Sequence, residues 1–476
     1  MSHRIAVIYH SRRGTVRTLA ALAAEGARET GAEVQLLRVE EDGPARREWP
    51  ERVAEPEDVV WADGLVLAGP TYYGTVSSPF KRFLESTSPL WAQGLLADRV
   101  ATGITVSTQR HGGREATLTA LHHTLYHWGC WIAGSDPADP VTRAAGGTPY
   151  GLAADNSQGE PAPSERAAAR ALGRRLAELT ARARPVSSPP SPPAPAALPE
   201  RRTVVPAPAG LTEPTAVPLP VGSVHVPHTG ASASGTAGPV PGREVTRVGA
   251  VRAGLPDTVP RPVRLAVVYH GEDATTRILA QEAAAAARAV GAGVRLRRVA
   301  RGSGVRDAEW LGPWAPPAAV EDVEWADAVL FGAPVRLGAP AALLLEFVQA
   351  LEPAGGGRGP LWGKSAGGFA TTPAPHAGAE TALLDLGHVL LHAGAVLVPP
   401  GYTDPAVEAA GGNPYGTSYS RTAGDLPSPQ ARAAVAHQGR RTVLAGDLLR
   451  RAPRPPGASP APPGPAGPQT FIGSTA

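Results

Sequence analysis

The sequence predicts an α/β fold written twice, with two doubly wound parallel sheets in one chain of 476 residues. The first observation is internal repetition: IAVIYHSRRGTVRTLA (5–20) realigns without gaps on LAVVYHGEDATTRILA (265–280), and GGTPYG (146–151) returns as GGNPYG (411–416). A duplicated unit of this size is read as two copies of one domain. The second observation is that apolar runs alternate with helix-period segments throughout each copy, the pattern of parallel strands joined by crossover helices.

In the first copy, IAVIY (5–9) reads as a fully buried strand, because parallel strands covered on both faces lose the alternation of half-exposed ones. The helix behind it keeps Val16, Leu19, Ala20, Ala23 and Ala27 on one face and stops at Gly31. Further strands are expected at 32–39, 64–69, 101–107 and 130–135, with helices at about 76–86, 114–128 and 163–183. The second copy repeats the strands at 264–269, 293–299, 327–334, 367–372 and 395–400. Five strands with this first-loop chemistry fit the flavodoxin-like order 2-1-3-4-5, in which ligands sit beyond the carboxyl ends of the strands.

Composition sets the domain limits. Proline reaches 52 residues, and the stretch from 185 to 260, opening PVSSPPSPPAPAALPE, shows no apolar period. It is expected to be a disordered linker, as is the tail 452–476. The folded copies are then assigned to 1–184 and 261–451. A net charge of +3 is near neutral and argues against a nucleic-acid surface. A lone cysteine, Cys130, excludes a disulfide framework and a thiolate metal site. With no signal peptide and no apolar run of membrane-spanning length, a cytoplasmic location is expected.

Three loops at strand ends in the first copy carry the chemistry. SRRGTV (Ser11, Arg12, Arg13, Gly14, Thr15, Val16) offers two hydroxyls, two cations and a glycine that can turn amides onto a phosphate at a helix N-terminus. In PTYYGT, Thr71, Tyr72, Tyr73, Gly74 and Thr75 combine ring-stacking tyrosines with a glycine that permits close approach. The third loop, Ser107, Thr108, Gln109, Arg110, His111 and Gly112, is polar and can present backbone amides. Each has an ordinary structural reading as a turn or a half-buried packing element. Occurring in order after strands one, three and four, they match the needs of a flavin mononucleotide (FMN) site.

These loops, with PLWAQG (89–94), the HisTrpGly at 127–129 and above all the repeated GGxPYG, resemble the WrbA-type (tryptophan-repressor-binding-protein-like) NAD(P)H:quinone oxidoreductases. The resemblance covers 4 to about 182 and, more weakly, 264 to about 450. It implies a flavodoxin-like fold, FMN as cofactor, NAD(P)H as donor, a quinone-like acceptor and assembly as tetramers. Carried over by position, it implies FMN contacts from Ser11–Val16, Thr71–Thr75, Ser107–Gly112 and Trp128, and a substrate-pocket role for Trp91 contributed by a neighbouring subunit. Two duplicated chains would then imitate the tetramer as a homodimer. No side chain is assigned as acid or base, because the flavin carries the chemistry.

The chain also departs from that family's pattern. Trp128 stands where a histidine is usual, TyrTyr replaces the usual ArgPhe of the second loop, and Arg13 replaces a tyrosine. In the second copy Glu272 and Asp273 occupy the places of Arg12 and Arg13, Val335, Arg336 and Leu337 replace Thr71, Tyr72 and Tyr73, and prolines interrupt the third loop at 373–378. A carboxylate about 5 Å from a phosphate charge costs roughly 0.8 kcal/mol in water and several times more near a protein surface. The second copy is therefore expected to refuse FMN.

Other signals are weak. His122, His123 and His127 share one helix, and His122, with only Tyr126 four residues on, makes a poor zinc pair; Cys130 reads as core; the GKSAG string at 363–367 precedes an expected strand instead of following one and so makes no GxSxG elbow, and no GxGxxG follows a first strand. No metal site is expected. Two rival functions stay open at this level: a non-catalytic structural or regulatory protein with decayed sites, and a one-electron carrier of the flavodoxin type.

Overall fold

The computed structural model describes residues 2–40, 49–109, 111–157, 159–183, 261–271, 274–299, 315–353, 357–421 and 426–451. The expected linker and tail, Arg110 and the Glu272–Asp273 pair lie outside the described residues.

In the first copy the order is β1 (Arg4–Tyr9), α1 (Thr15–Arg28), β2 (Glu33–Arg38), α2 (Pro56–Trp61), β3 (Gly64–Tyr72), β4 (Thr75–Val76), α3 (Ser78–Ser86), α4 (Ser88–Ala92), β5 (Val100–Ser107), α5 (Arg114–Trp128), β6 (Trp131–Ala133), α6 (Pro140–Ala144), β7 (Leu152–Asp155) and α7 (Pro163–Ala183). The second copy follows with β8 (Arg264–Tyr269), α8 (Ala274–Ala289), β9 (Gly293–Arg298), α9 (Val320–Trp325), β10 (Ala328–Arg336), β11 (Ala339–Pro340), α10 (Ala342–Gln349), β12 (Ser365–Thr372), α11 (Ala379–His392), β13 (Val396–Leu397), α12 (Pro405–Ala409), β14 (Thr417–Ser420) and α13 (Pro429–Arg450). Both copies keep the order 2-1-3-4-5, as expected: β2-β1-β3-β5-β6 in one and β9-β8-β10-β12-β13 in the other.

The fifth strand is not the continuous 130–135 run that the apolar pattern suggests. Its lower part, β6, pairs with β5 at Val100–Trp131 and Ala101–Ile132, and its upper part, β7, pairs at Ile104–Leu152 through Ser107–Asp155. The chain leaves the sheet at Gly134 and returns at Gly151, so GGTPYG closes an excursion that contains α6. The second copy is built the same way, with β13 and β14 sharing β12.

The two sheets meet edge to edge. β6 pairs antiparallel with β13, Ile132 opposite Leu397 and Ala133 opposite Val396, which makes one continuous sheet. The helices below this seam bury a shared core, with Leu121, Leu125 and Tyr126 of α5 clustered with Leu386, Leu390 and Leu391 of α11. An edge strand presents unpaired amides and carbonyls; here each copy satisfies the other's.

Side-chain bonds across the seam are near-symmetric. His123 and His127 of α5 surround Tyr415, and His388 and His392 of α11 surround Tyr150, in each case with ring centroids 5.2–5.9 Å apart. Arg441, 7% exposed, ties α13 to the first copy through Asp98 (2.6 Å) and the Gly129 carbonyl (2.6 Å), while its Nε donates to the Pro399 carbonyl. The histidines of α5 thus serve packing, and among the described residues no group of three or more His, Cys, Asp or Glu is placed to hold a metal.

Candidate functional site

A cleft of about 570 Å³ opens at the carboxyl rim of the first copy's sheet, lined by residues following β1, β3, β5 and β7. Ligands of doubly wound sheets bind at this rim. Ser11, Arg12, Arg13, Thr15, Val16, Thr71, Tyr72, Tyr73, Ser107, Thr108, Gln109 and Gly112 all line it. Three loops far apart in sequence therefore converge as their strand-end positions predict.

The first wall is the start of α1. Gly14 is its N-cap at φ 98°, a left-handed conformation that favours glycine, and donates its amide to Ser11 Oγ (3.1 Å). No side chain caps the helix and its first turn holds no acid. The opening amides of a 14-residue helix therefore face the cleft with Arg12 and Arg13 beside them, a ready site for a dianion.

The second wall is a hairpin where only a loop was expected. β3 runs past residue 69 to Tyr72 and pairs antiparallel with β4, Thr71 opposite Val76 and Tyr72 opposite Thr75. The turn residues Tyr73 and Gly74 both take positive φ, 50° and 77°, the signature of a primed two-residue turn. Tyr73 projects fully into solvent and Tyr72 stands partly exposed beside it. Thr75 lies on the far face of this hairpin, in an adjoining cavity.

The third wall turns tightly. The Ser107 hydroxyl and the Gly112 amide both donate to the Gln109 carbonyl. At Gly113 (φ 84°) a Cβ would come within 2.9 Å of the Gly74 Cα, so this glycine lets the third loop rest directly on the hairpin.

Two buried polar atoms at this cleft have no hydrogen-bond partner among the described residues: Thr71 Oγ1 and Asn156 Oδ1. Unsatisfied buried polar groups are uncommon and call for an explanation; a ligand with donor groups supplies one. Asn156 follows β7, and its amide nitrogen donates to Thr15 Oγ1 (3.4 Å), linking the fourth rim element to the phosphate-type wall. Sequence reasoning missed Asn156 because β7 itself was not visible as a strand. An uncapped helix start, two arginines, hydroxyls, a backbone-lined loop and orphaned acceptors fit a flavin nucleotide, whose phosphate needs amides and cations and whose ring system needs polar edges. Among the described residues no carboxylate lines the cleft.

Some expected contacts lie elsewhere. His111 lines a separate cavity beside Gly146 and Thr148, and Gly74 touches Gly113 rather than the open space. Trp128 corrects its assignment: it ends α5, is 5% exposed and belongs to the core beneath the sheet. Its apolar ring takes the buried side of the helix terminus. Within this chain Trp91 is partly buried, its Nε1 donating to the His127 carbonyl (2.7 Å) and its ring standing edge-on to Tyr402 of the second copy at 5.4 Å. Cys130 is fully buried, and burial pushes its thiol up to about 12, the setting of a structural core cysteine.

In the second copy the equivalent rim is bridged from within. Thr276, in place of Val16, shares a hydrogen bond of 2.7 Å with Thr371, both fully or nearly fully buried.

Residues 3–139 and 268–405 both match the family described as NADPH-dependent FMN reductase. The chain belongs to that family. Its FMN reductase unit is thus present twice, in agreement with the internal repeat. Curated relatives include the NAD(P)H dehydrogenase (quinone) of Deinococcus radiodurans, 34% identical over 195 residues, and that of Archaeoglobus fulgidus, 38% identical over 189. Each alignment covers 96% of the relative and 38% or 37% of this chain, about one copy's length. Among solved structures, a WrbA-like flavodoxin from Agrobacterium tumefaciens aligns over 38% of this chain and 100% of its own at 23% identity, with a TM-score of 0.30. Cleft and seam thus draw on different parts of the chain: the cleft described above lies at the rim of the first copy, and both copies carry the joint.

Proposed function

We propose that the chain is an FMN-dependent NAD(P)H:quinone oxidoreductase that holds its flavin in the first copy. The observation that carries the assignment of the site is the uncapped start of α1, which opens on the cleft beside Arg12 and Arg13. Family membership and the quinone dehydrogenase names of the relatives support the activity. The chemistry such a flavin supplies is two-electron transfer from a nicotinamide donor to a quinone-like acceptor.

The chain's own residues have binding and orienting roles. The Val16 and Arg17 amides, Ser11, Thr15, Arg12 and Arg13 would hold the phosphate. Thr71 and Asn156 would satisfy polar edges, while the Ser107–Gly112 turn would offer main-chain groups to the ring system. Tyr72 and Tyr73 would wall the ring's outer side and limit water. No lining side chain needs to exchange a proton, which is consistent with a cleft lined, among the described residues, by neither carboxylate nor histidine. The second copy completes the seam, and two chains associating would reproduce a four-domain assembly.

FMN titration of the purified full-length protein, followed by NAD(P)H oxidation with and without benzoquinone, tests this reading. Saturable binding of one flavin per chain and quinone-stimulated oxidation are expected. Protein that stays colourless with excess FMN would overturn it, and bound flavin without quinone-stimulated turnover would point to a one-electron carrier.

A further inference from the structure

The seam is two-fold in plan, but one pair of equivalent positions breaks the match. Asp98 and Gly363 occupy the same place in the two copies, two residues before β5 and β12, and both take the left-handed turn, with φ 66° and 68°. Arg175 of α7 and Arg441 of α13 are likewise equivalent, since each donates from Nε to a carbonyl just past its own copy's fifth strand, Gly134 (3.1 Å) and Pro399 (2.8 Å). Their other partners differ. Arg441 also bonds the Gly129 carbonyl and Asp98, both 2.6 Å away in the first copy. Arg175 meets no carboxylate at the corresponding place, because Gly363 has no side chain to offer, and among the described residues the Gly134 carbonyl is its one hydrogen-bond acceptor.

The space beside Arg175 is a cavity of about 140 Å³ with walls from both copies. Leu172, Leu179 and the Trp362 ring make its apolar side, and the Arg175 guanidinium carbon stands 5.8 Å from the centroid of that ring. Burial holds this guanidinium below its ordinary value, as for a charge whose desolvation its neighbours do not fully offset. Three carboxylates line the cavity as well, yet none bonds Arg175. Asp136 accepts from Arg358 (3.1 Å) and from Trp362 Nε1 (3.0 Å), Asp139 caps α6 at the Val141 amide (2.9 Å), and Glu178 acts on Arg175 only through space. The twin space is filled by protein. Asp98 sits on Arg441, and Thr403 Oγ1 lies 2.8 Å from His437 Nε2 where the first copy has only Ala138 and Ala171.

From this we infer that the seam cavity binds a small monocarboxylate, whose carboxylate takes on Arg175 the place that Asp98 takes on Arg441 and whose apolar body rests against Leu172, Leu179 and Trp362. A guanidinium pairs with a carboxylate in a strong and directional way, and a space of this size accommodates a body of about one benzene ring. The lining acids set the charge of the ligand. A dianion such as phosphate would meet Asp139 and Glu178 as like charges, whereas a single negative charge is matched by Arg175 alone. Because both copies wall the cavity, an occupant that binds only the folded chain stabilises the joint. The inference is independent of the flavin assignment, since none of these residues lines the flavin cleft.

Benzoate is the probe, with benzamide as its uncharged isostere and inorganic phosphate as the dianion, at equal ionic strength and on the full-length chain held in excess FMN. Calorimetry should show one benzoate per chain, bound at least about tenfold more tightly than benzamide or phosphate, and benzoate should raise the thermal midpoint. Gly363→Asp, which copies the twin site, should weaken benzoate by at least about tenfold and raise the midpoint of the chain without benzoate. The position admits it: a Cβ at Gly363 meets nothing within 4 Å, and Asp98 already holds the same turn. Arg175→Met should weaken benzoate by a similar factor and abolish the stabilising effect of Gly363→Asp. A native chain that takes up no benzoate, or that binds benzamide equally well, would overturn the inference. Unchanged benzoate affinity in Gly363→Asp would do the same. Should Arg175→Met fail to fold, Gly363→Asp decides alone, because it leaves every lining side chain in place.

Discussion

The Tyr150 hydroxyl lies 3.0 Å from Nε2 of His392, joining the end of one copy's GGTPYG to the crossover helix of the other. The reciprocal pair, Tyr415 and His127, stands at 3.4 Å. This relationship explains why the motif persists in both halves even though the phosphate loop does not. Its tyrosine is needed at the joint, which each half must supply, and does not line the first copy's cleft.

Replacing Tyr150 with Phe removes one hydrogen bond at a partly exposed position and should cost about 0.5 kcal/mol. Tyr150→Ala also strips the ring from His388 and His392 and should cost about 2 kcal/mol. Urea denaturation of the full chain, followed by fluorescence and circular dichroism together, measures both. A change confined to fluorescence, with the dichroism unaltered, would show that the seam opens before either half melts.

Arg441→Met should be more damaging. It leaves the Gly129 and Pro399 carbonyls without their donor and breaks the tie to Asp98 across the seam. Removing one member of such a buried arrangement typically costs about 3 kcal/mol or more. The denaturation midpoint should fall accordingly, with FMN binding retained in buffer, since none of these groups lines the cleft.

Acid should weaken the joint. Burial holds His123, His127 and His388 below their ordinary value of 6.5, and His122, fully buried with Nε2 3.0 Å from the Tyr150 carbonyl, is lowered to about 3. These groups are neutral in the fold but gain protons in the unfolded chain as pH drops below about 6.5. Stability is therefore full above that value and declines as pH falls through it toward the folded values. Thermal midpoints measured from pH 8 to pH 5 should drop, and the drop should shrink in a His123→Gln, His388→Gln variant.

Arg12→Glu with Arg13→Glu places the second copy's charges at the phosphate wall. FMN affinity should fall at least about a hundredfold, near 2.7 kcal/mol, as read by flavin fluorescence. Unchanged affinity would move the phosphate away from the start of α1.

Cys130, buried and with its thiol held far above neutrality, should resist alkylation in the native state. Mass spectrometry after iodoacetamide treatment at pH 8 should show modification only once denaturant is added.

The strand runs and the three polar loops could be read from the sequence because each is local: IAVIY is buried on both faces, and Ser11 to Val16 follow it directly. What escaped was produced by distance or by context. Leu152 to Asp155 form a strand only because Ile104 to Ser107 wait beside them, and so Asn156 was invisible as a rim residue. The Tyr72 to Thr75 turn reads as a loop until Thr71 and Val76 pair. Trp128 looks like a pocket aromatic by position, but it faces the core, and Trp91 meets Tyr402, a partner more than three hundred positions away. Periodicity gives no hint of the antiparallel contact between the two fifth strands, since Ile132 and Leu397 would look alike at any buried edge.

That contact has a cost for anyone who would divide the chain. Cutting after the first half would bare Ile132 and Ala133 as an unsatisfied ledge, together with the leucines of α5 that now press on Leu386 and Leu390. Such a fragment would not behave as a small independent flavoprotein. It would recruit a second fragment like itself, and in doing so would rebuild a homodimer from half a polypeptide.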